Sequence, residues 1–365
     1  MPHRRCSLAT YTDSGTMALE HVGYGRWSGA QQMNDRAGYS RLTDGWIQAR
    51  VPLPFALKWV NSYLLPEEDG GWTVIDPGLR TEDTVAYWED TLSQCGIAWS
   101  QIRRVVLTHH HPDHYGLAGW FQERSGGAPV YISQVAHDAA QRLWGDRESF
   151  SGELTDAFLS HGLVPELEAD MRNHLLSFRV RVSPHPADVR ILEPDGDFRM
   201  GGASWRMIRG DGHGPGHVSF YDPVARRILC GDQVLPDISP NIGWMPNADP
   251  NPLDSYLSSI AAMRALEVDM AYPGHREPFE AFRERVEQLL DHHERRLSRM
   301  AELMGGDSVT AFDMCEMLFG ARLRGNAHNL RFALAETIAH LVMLELRGIA
   351  RRTEEAGLIR YERVR

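Results

Sequence analysis

Apolar positions along the chain recur with two periods, every second residue or every third to fourth, and the two alternate over much of its length. "VNSYLL" and "WTVIDPG" are β-rich runs parted by the turn cluster "PEEDGG", and the "DPG" at 76–78 stops the second one sharply. Residues 81–96, "TEDTVAYWEDTLSQCG", carry helical spacing that opens near Thr81 or Glu82 and stops at Gly96. "IRRVVLTH" reads as a short buried strand, "GLAGWFQERSG" as a helix and "APVYIS" as the next strand. Strand, helix and strand in turn predict an α/β layer fold. Residues 1–45 show little periodicity and several glycines, which predicts an irregular leader with Met17 as an alternative start.

Residues 134–180 break the alternation with helical spacing and no strand signal, so they predict a helical insert. Short strands and Gly-rich turns return from "VRILEP" to "GDQVL". "DSYLSSIAAMRALEVD" is an amphipathic helix, "MAYPGH" a strand and 279–304 a long helix. The tail holds two helical stretches and then two short strands around "EEAG", the pattern of a small winged-helix module. The expected organisation is a leader over 1–45, a catalytic body over 46–296 and a winged-helix-like module over 297–365.

Composition narrows the class. At 365 residues the chain can bury one large core and carry a small module. Hydrophobic residues at 42% and charged residues at 24% suit a globular protein. No apolar run approaches the roughly 18 residues that span a bilayer. "MPHRRCSLATYTDSG" is basic but lacks the apolar stretch of a secretory signal, so a cytoplasmic protein is expected. Cys6, Cys95, Cys230 and Cys315 lie far apart and do not read as a disulfide framework. The net charge is −11, yet 297–365 holds ten arginines against nine acidic residues. No basic stripe marks a nucleic-acid surface.

The chemistry concentrates in "LTHHHPDHYG", residues 107–116. A cloning tag sits at a terminus and carries no Pro-Asp-His, and a polar surface loop needs no such density of ligands. A metal site remains, since zinc takes His nitrogen and carboxylate oxygen in small numbers. His109 and His111 can converge on one ion from an extended loop, while Asp113 and His114 can bind a second nearby. Further ligands must then come from distant segments. Three isolated candidates follow β-like runs in Gly-rich loops: His213 in "GDGHGPGH", Asp232 in "LCGDQVL" and His275 in "YPGHREP". A lone Asp after a strand is usually a turn residue, so the weight rests on the set.

"HHHPDH" resembles the HxHxDH signature of the metallo-β-lactamase fold superfamily, and "VIDPG", "GHGPGH", "GDQVL" and "PGHREP" resemble its other motifs in the same order. The resemblance spans about residues 45–280, and the tail resembles, more loosely, the winged-helix appendage of the β-lactamase-like protein 2 branch. It implies an αββα sandwich with metals at the strand ends between two sheets. It implies one ion on His109, His111 and His213, and another on Asp113, His114 and His275, with Asp232 bridging. It makes Asp76 a partner orienting a metal histidine, and His217 a structural or outer-sphere residue. His110 is expected to point away, and Cys230 to be a buried core thiol.

Two such ions bring a bridging water to hydroxide at neutral pH, so metal-assisted hydrolysis is expected, with Asp113 holding its ion and orienting the hydroxide. Zinc is preferred, and iron or manganese would also suit mixed nitrogen and oxygen ligands. Many β-lactamases of the superfamily carry Cys where this chain has Asp232, which disfavours antibiotic hydrolysis. An ester, thioester or lactone of a small, partly hydrophobic substrate is the expected target. A metal-dependent ribonuclease or phosphodiesterase that holds nucleic acid with the tail is the alternative. The helix "AETIAHLVMLELRG" is apolar where a gripping helix would be basic, so it is expected to serve packing or a homodimer. Trp144, Phe150, Phe158, Leu159, Leu163 and Phe178 of the insert could wall a pocket or pack the insert down. Tyr115 and Trp244 are expected nearer the metals, as pocket wall or as simple packing. Arg209 and Arg276 are the cations expected to meet an acidic group.

Overall fold

The structure, a computed structural model, describes residues 33–34, 38–145, 149–306 and 308–364. Eight strands lie in chain order in the first sheet: β1 (Met33–Asn34), β2 (Tyr39–Arg41), β3 (Ile47–Pro52), β4 (Trp59–Pro66), β5 (Trp72–Ile75), β6 (Ile102–Val106), β7 (Val130–Ser133) and β8 (Val189–Leu192). They pair antiparallel as far as β5 and parallel from β5 to β8. Parallel neighbours need crossovers. Helix α1 (Glu82–Cys95) supplies the first, with Thr81 capping its N-terminus and Gly96 in the left-handed conformation at its end. The short turn α2 (Pro112–Tyr115) and helix α3 (Ala118–Ser125) supply the second.

The expected helical insert is the third crossover, from β7 to β8. It holds α4 (Gln134–Trp144), α5 (Ser149–Ser160) and α6 (Glu168–Leu176). Trp144, Phe150, Phe158, Leu163 and Phe178 are buried in the main core, so the packing reading of the insert holds for them.

The second sheet runs β13-β12-β11-β10-β9, built from β9 (Asp197–Met200), β10 (Ala203–Gly210), β11 (His217–Asp222), β12 (Arg227–Gly231) and β13 (Met270–Pro273). Its β12–β13 pair is parallel and is joined through α7 (Pro252–Met263). Along β10, Trp205 and Met207 turn inward while Ser204 and Arg206 face out, the period of two that one buried face demands. Trp46, Tyr63, Ile75, Val106, Phe220 and Tyr272 share the core between the sheets with them, and the Trp46 and Trp205 ring centroids are 5.7 Å apart. Each such side chain contributes about 1.5–3 kcal/mol by leaving water. Helices cover the outer faces, which gives the αββα sandwich.

Helix α8 (Phe282–Leu303) leads to α9 (Ala311–Phe319), α10 (Ala327–Leu346) and the hairpin β14 (Ala350–Glu355)–β15 (Leu358–Arg363). Tyr39 and Ser40 are buried in β2 of the first sheet, so the folded body begins inside the expected 1–45 leader. The expected division at 296/297 lies within α8, whose hydrogen-bonded backbone runs from the body into the C-terminal module. Residues 1–32, with Met17, lie outside the described residues. Helix α10 packs on α6, α7, α8 and α9, and buries Leu330, Leu334, Ile338, Leu341 and Leu344 within the chain. Among the described residues, no helix is long and apolar enough to cross a membrane.

Candidate metal centre

The site lies where the parallel pairs of both sheets end. Asp76 follows β5, the histidine run follows β6, Asp232 follows β12 and His275 follows β13. Strands that run parallel end on one side, so four loops converge there. His213 joins them from the β10–β11 turn. Pro112 occupies the first position of α2, where its fixed φ suits a helical turn. That turn places Asp113 and His114 one residue beyond the extended His109–His111 segment.

Three sets of ligand atoms lie within 4.8 Å of one another: His109 with His111 and His213; His109 with His114 and Asp232; and Asp113 with His114 and His275. Nδ1 of His111 stands 3.0 Å from Nε2 of His109 and 3.1 Å from Nε2 of His213. Two nitrogens bound at about 2.0–2.1 Å to a tetrahedral ion would stand about 3.3 Å apart. Oδ2 of Asp232 is 3.4 Å from Nε2 of His114, 3.5 Å from Nε2 of His213 and 3.3 Å from Nε2 of His275. Oδ2 of Asp113 is 3.2 Å from Nε2 of His275 and 4.0 Å from that of His114.

The outer hydrogen bonds decide where the protons sit. A carbonyl or carboxylate only accepts. Nδ1 of His213 therefore donates to the Asn241 carbonyl at 2.9 Å, and Nδ1 of His275 to the Trp59 carbonyl at 3.0 Å. Nδ1 of His114 donates to Oδ2 of Asp76 at 2.9 Å. The Thr108 hydroxyl donates its one proton to the same oxygen at 2.7 Å, so it accepts from Nδ1 of His109 at 2.9 Å. In neutral rings, all four Nε2 lone pairs then point inward. His111 has one Nδ1 proton at most and cannot satisfy both neighbours. Nε2 of His114 and Oδ1 of Asp232 are buried without any hydrogen-bond partner. A set of inward lone pairs and two carboxylates fits bound cations.

Without cations, protons are drawn in. Burial opposes charge on His114 and His275, but Asp232 and the neighbouring carboxylates win and hold His114 well above the usual range and His275 at about 10. His109 and His111 go well below it, through burial and then the surrounding histidines. Burial also works against ionised Asp232 and Asp113, yet His275 and His114 hold Asp232 well below the ordinary carboxylate range and lower Asp113 as well. Gly274 is needed for approach: a Cβ there would lie 2.2 Å from Oδ1 of Asp232 and 2.7 Å from Cε1 of His114.

The structure gathers every residue singled out in the histidine run and the three distant loops. Asp76 adopts φ 50° and also accepts the Thr108 amide at 2.8 Å. His217 is buried with its ring centroid 5.1 Å from that of His109 and both nitrogens unpartnered, and burial pushes its pKa down to about 3. His110 is buried too, with its carbonyl accepting the Trp144 indole N–H at 3.0 Å. The Cys230 thiol is buried against the Val234 carbonyl, and burial pushes its pKa up.

Of the two expected pocket residues, Tyr115 takes the packing reading and Trp244 is half-buried. Tyr115 is wholly buried with its hydroxyl 3.0 Å from Nδ1 of His185, because its helical turn points it into the core. Trp244 lies against His161, 5.4 Å between centroids, and its backbone N–H donates to Ala335 of the C-terminal module. Arg209 is held by Asp211 at 2.9 Å and Arg276 by Asp237 at 3.3 Å. Sequence reasoning missed Thr108, Asn241 and Glu336. Asn241 donates to Oε2 of Glu336 at 2.8 Å and to the Phe332 carbonyl at 3.1 Å, which ties His213 to α10. The only sequence signal was a threonine directly before the first ligand.

Residues 60–275 match the metallo-beta-lactamase superfamily profile, and 297–364 match the metallo-beta-lactamase-like C-terminal domain. The chain is 27% identical over 310 residues to the probable metallo-hydrolase YqjP of Bacillus subtilis, covering 83% of this chain and 93% of that one. It is 28% identical over 247 residues to an atrochrysone carboxyl ACP thioesterase of Aspergillus fumigatus, covering 67% of this chain and 59% of that one. The crystal structure of the metallo-beta-lactamase family protein TTHA1429 from Thermus thermophilus superposes with TM-score 0.76 at 32% identity, covering 88% of this chain and 99% of that one.

Proposed function

Because the chain belongs to the metallo-beta-lactamase superfamily, we propose that it is a dinuclear metal-dependent hydrolase of an ester, thioester or lactone in a small, partly hydrophobic substrate. His109, His111 and His213 would hold one ion, and Asp113, His114 and His275 the other, with Asp232 between them. The observation that carries this reading is Oδ2 of Asp232 standing 3.3–3.5 Å from histidine nitrogens of both sets. Zinc is preferred, with iron or manganese compatible with the mixed donors. Two divalent ions bound there supply an activated water and polarise the oxygen of the scissile group.

The protein's own contribution is orientation and proton placement. Asp76 and Thr108 hold His109 and His114 with their Nε2 lone pairs inward, and two backbone carbonyls do the same for His213 and His275. The Asp113 side chain is 21% exposed against 7% for Asp232, so Asp113 is the carboxylate that can orient water from the solvent side. Acyl chemistry is favoured over a phosphodiester by the thioesterase relative. Nucleic-acid binding by the C-terminal module is disfavoured because α10 spends its apolar face on packing within the chain.

Elemental analysis of metal-replete protein should find two transition-metal ions per chain. Metal-loaded protein should then cleave a thioester, ester or lactone faster than bis-p-nitrophenyl phosphate or RNA. One ion or none would count against the dinuclear site, and turnover confined to phosphodiesters would reverse the substrate ranking.

A further inference from the structure

Two arginines from distant parts of the chain pack on one aromatic ring near this site. Arg181 lies at the end of the helical insert and Arg331 on α10. Their guanidinium carbons are each 5.5 Å from the Phe178 ring centroid. Arg181 is also 5.9 Å from the Phe55 ring and Arg331 4.2 Å from that of Phe332. His328 stacks on Phe55 at 4.3 Å and 8°, and its ring is 5.3 Å from that of His174. Both arginines are half-buried. Among the described residues, neither guanidinium has a carboxylate or carbonyl partner.

The backbone at both positions adjoins segments that carry candidate ligands. A Cβ on Gly116, two residues beyond His114, would stand 2.6 Å from the Arg181 carbonyl. Phe332, adjacent to Arg331, accepts from Asn241, whose own carbonyl holds His213. Burial lowers the Arg331 pKa to about 10 while the charge of Asp113 opposes that shift, so the group remains a cation at neutral pH. A desolvated cation without a counter-ion is costly, and a planar fork of donors matches a carboxylate or phosphate.

We propose that Arg181 and Arg331 form an anion-binding subsite, and that the substrate carries a carboxylate or phosphate held between the insert and the C-terminal module while its scissile bond lies at the metals. This deepens the hydrolase reading and rests on it for the substrate. The half-buried Phe55 ring would take the apolar linker between the two charged ends of the site.

The test uses full-length, metal-loaded protein and matched substrates: p-nitrophenyl butyrate against mono-p-nitrophenyl glutarate, and S-acetylcysteamine against acetyl-coenzyme A. Wild type should prefer the anionic member of at least one pair, and the pair preferred tells carboxylate from phosphate. Arg181→Gln and Arg331→Gln should each lower the anionic-to-neutral ratio of kcat/KM by about 10- to 100-fold, mostly through KM. Arg331→Lys should restore part of it. In parallel, chelated protein is melted with glutarate or inorganic phosphate, so that no metal can capture the anion. A rise in Tm with one anion, lost in the Arg181→Gln/Arg331→Gln double variant, supports the subsite even without turnover, and then counts against the hydrolase reading alone. No anion-dependent rise in Tm, or a rise that survives in the double variant together with equal rates on both members of each pair, would overturn the proposal.

Discussion

Two groups of histidines in this chain show the same ring-to-ring contact and opposite chemistry. In the metal centre, Nδ1 of His111 meets Nε2 of His109 and of His213 at 3.0 and 3.1 Å. Beneath α10, Nδ1 of His293 meets Nε2 of His340 at 3.1 Å. The second contact pairs one donor with one acceptor. Nδ1 of His340 donates to the Glu336 carbonyl at 2.8 Å, which leaves its Nε2 free to accept from His293. Donor and acceptor alternate, and neither ring bonds a carboxylate. In the first group every outer partner is an acceptor, so the lone pairs face one another around two carboxylates. Proximity of histidines is therefore weak evidence for a metal, and the direction set by the outer hydrogen bonds is what separates a site from a packed core.

The largest effect should come from the inner ligands. Asp113→Ala and His111→Ala should abolish hydrolysis, by more than the roughly 10- to 100-fold that loss of an outer partner costs. Because both sit in a loop beyond a strand, circular dichroism should show the fold retained, with a lower Tm where bound metal had contributed stability. Near-wild-type turnover by Asp113→Ala would end the two-metal reading. His293→Leu should leave the metal content at the wild-type value.

Next in size is the proton logic. Thr108→Val removes the hydroxyl that makes His109 present Nε2, and should weaken metal affinity by about 10- to 100-fold in a competition titration with a chelator. An unchanged affinity would mean that His109 is oriented by its backbone alone.

The smallest and sharpest contrast is in pH. Burial, followed by the charge of nearby groups, pushes His293 down to about 2 and His340 down to about 3. Their unfolded pKa is near 6.5, so their contribution is fully present above that value and is lost as pH falls below it, about 1.4 kcal/mol per group at pH 5.5. His275 in the metal-free protein is raised to about 10 by Asp232 and Asp113 against the effect of burial. Its contribution is present below 6.5 and is lost as pH rises through about 10. Chelated His340→Gln should thus lose less Tm than wild type between pH 7 and 5. Chelated His275→Gln should lose less between pH 7 and 10. Parallel curves for wild type and either variant would erase the difference between the two groups.

The candidate ligands were legible because four of the seven lie in one short run, and His213, Asp232 and His275 joined them through their Gly-rich strand-end loops and their order along the chain. The α/β alternation and the insert were legible because apolar period reports which face is buried. The errors came from contacts that spacing does not encode. Tyr115 looked like a pocket residue because it follows His114, yet a helical turn carries it into the core against His185. Arg209 and Arg276 stood out as the cations near otherwise mostly apolar motif flanks, yet Asp211 and Asp237 pair with them. The start of the first sheet was hidden because Tyr39–Arg41 is a strand too short to show a period.

By itself, the sequence determined the α/β alternation, through local periodicity, and it carried the motifs whose resemblance implied the family, the αββα layer order and the set of candidate metal ligands. Only the tertiary structure decided which nitrogen of each histidine faces inward, that α10 is packed within the chain, and that Arg181 and Arg331 share one aromatic ring 150 positions apart. The reason is that hydrogen-bond direction and counter-ion pairing are properties of atoms brought together by the sheets and helices, and a linear pattern carries no distance between its distant parts.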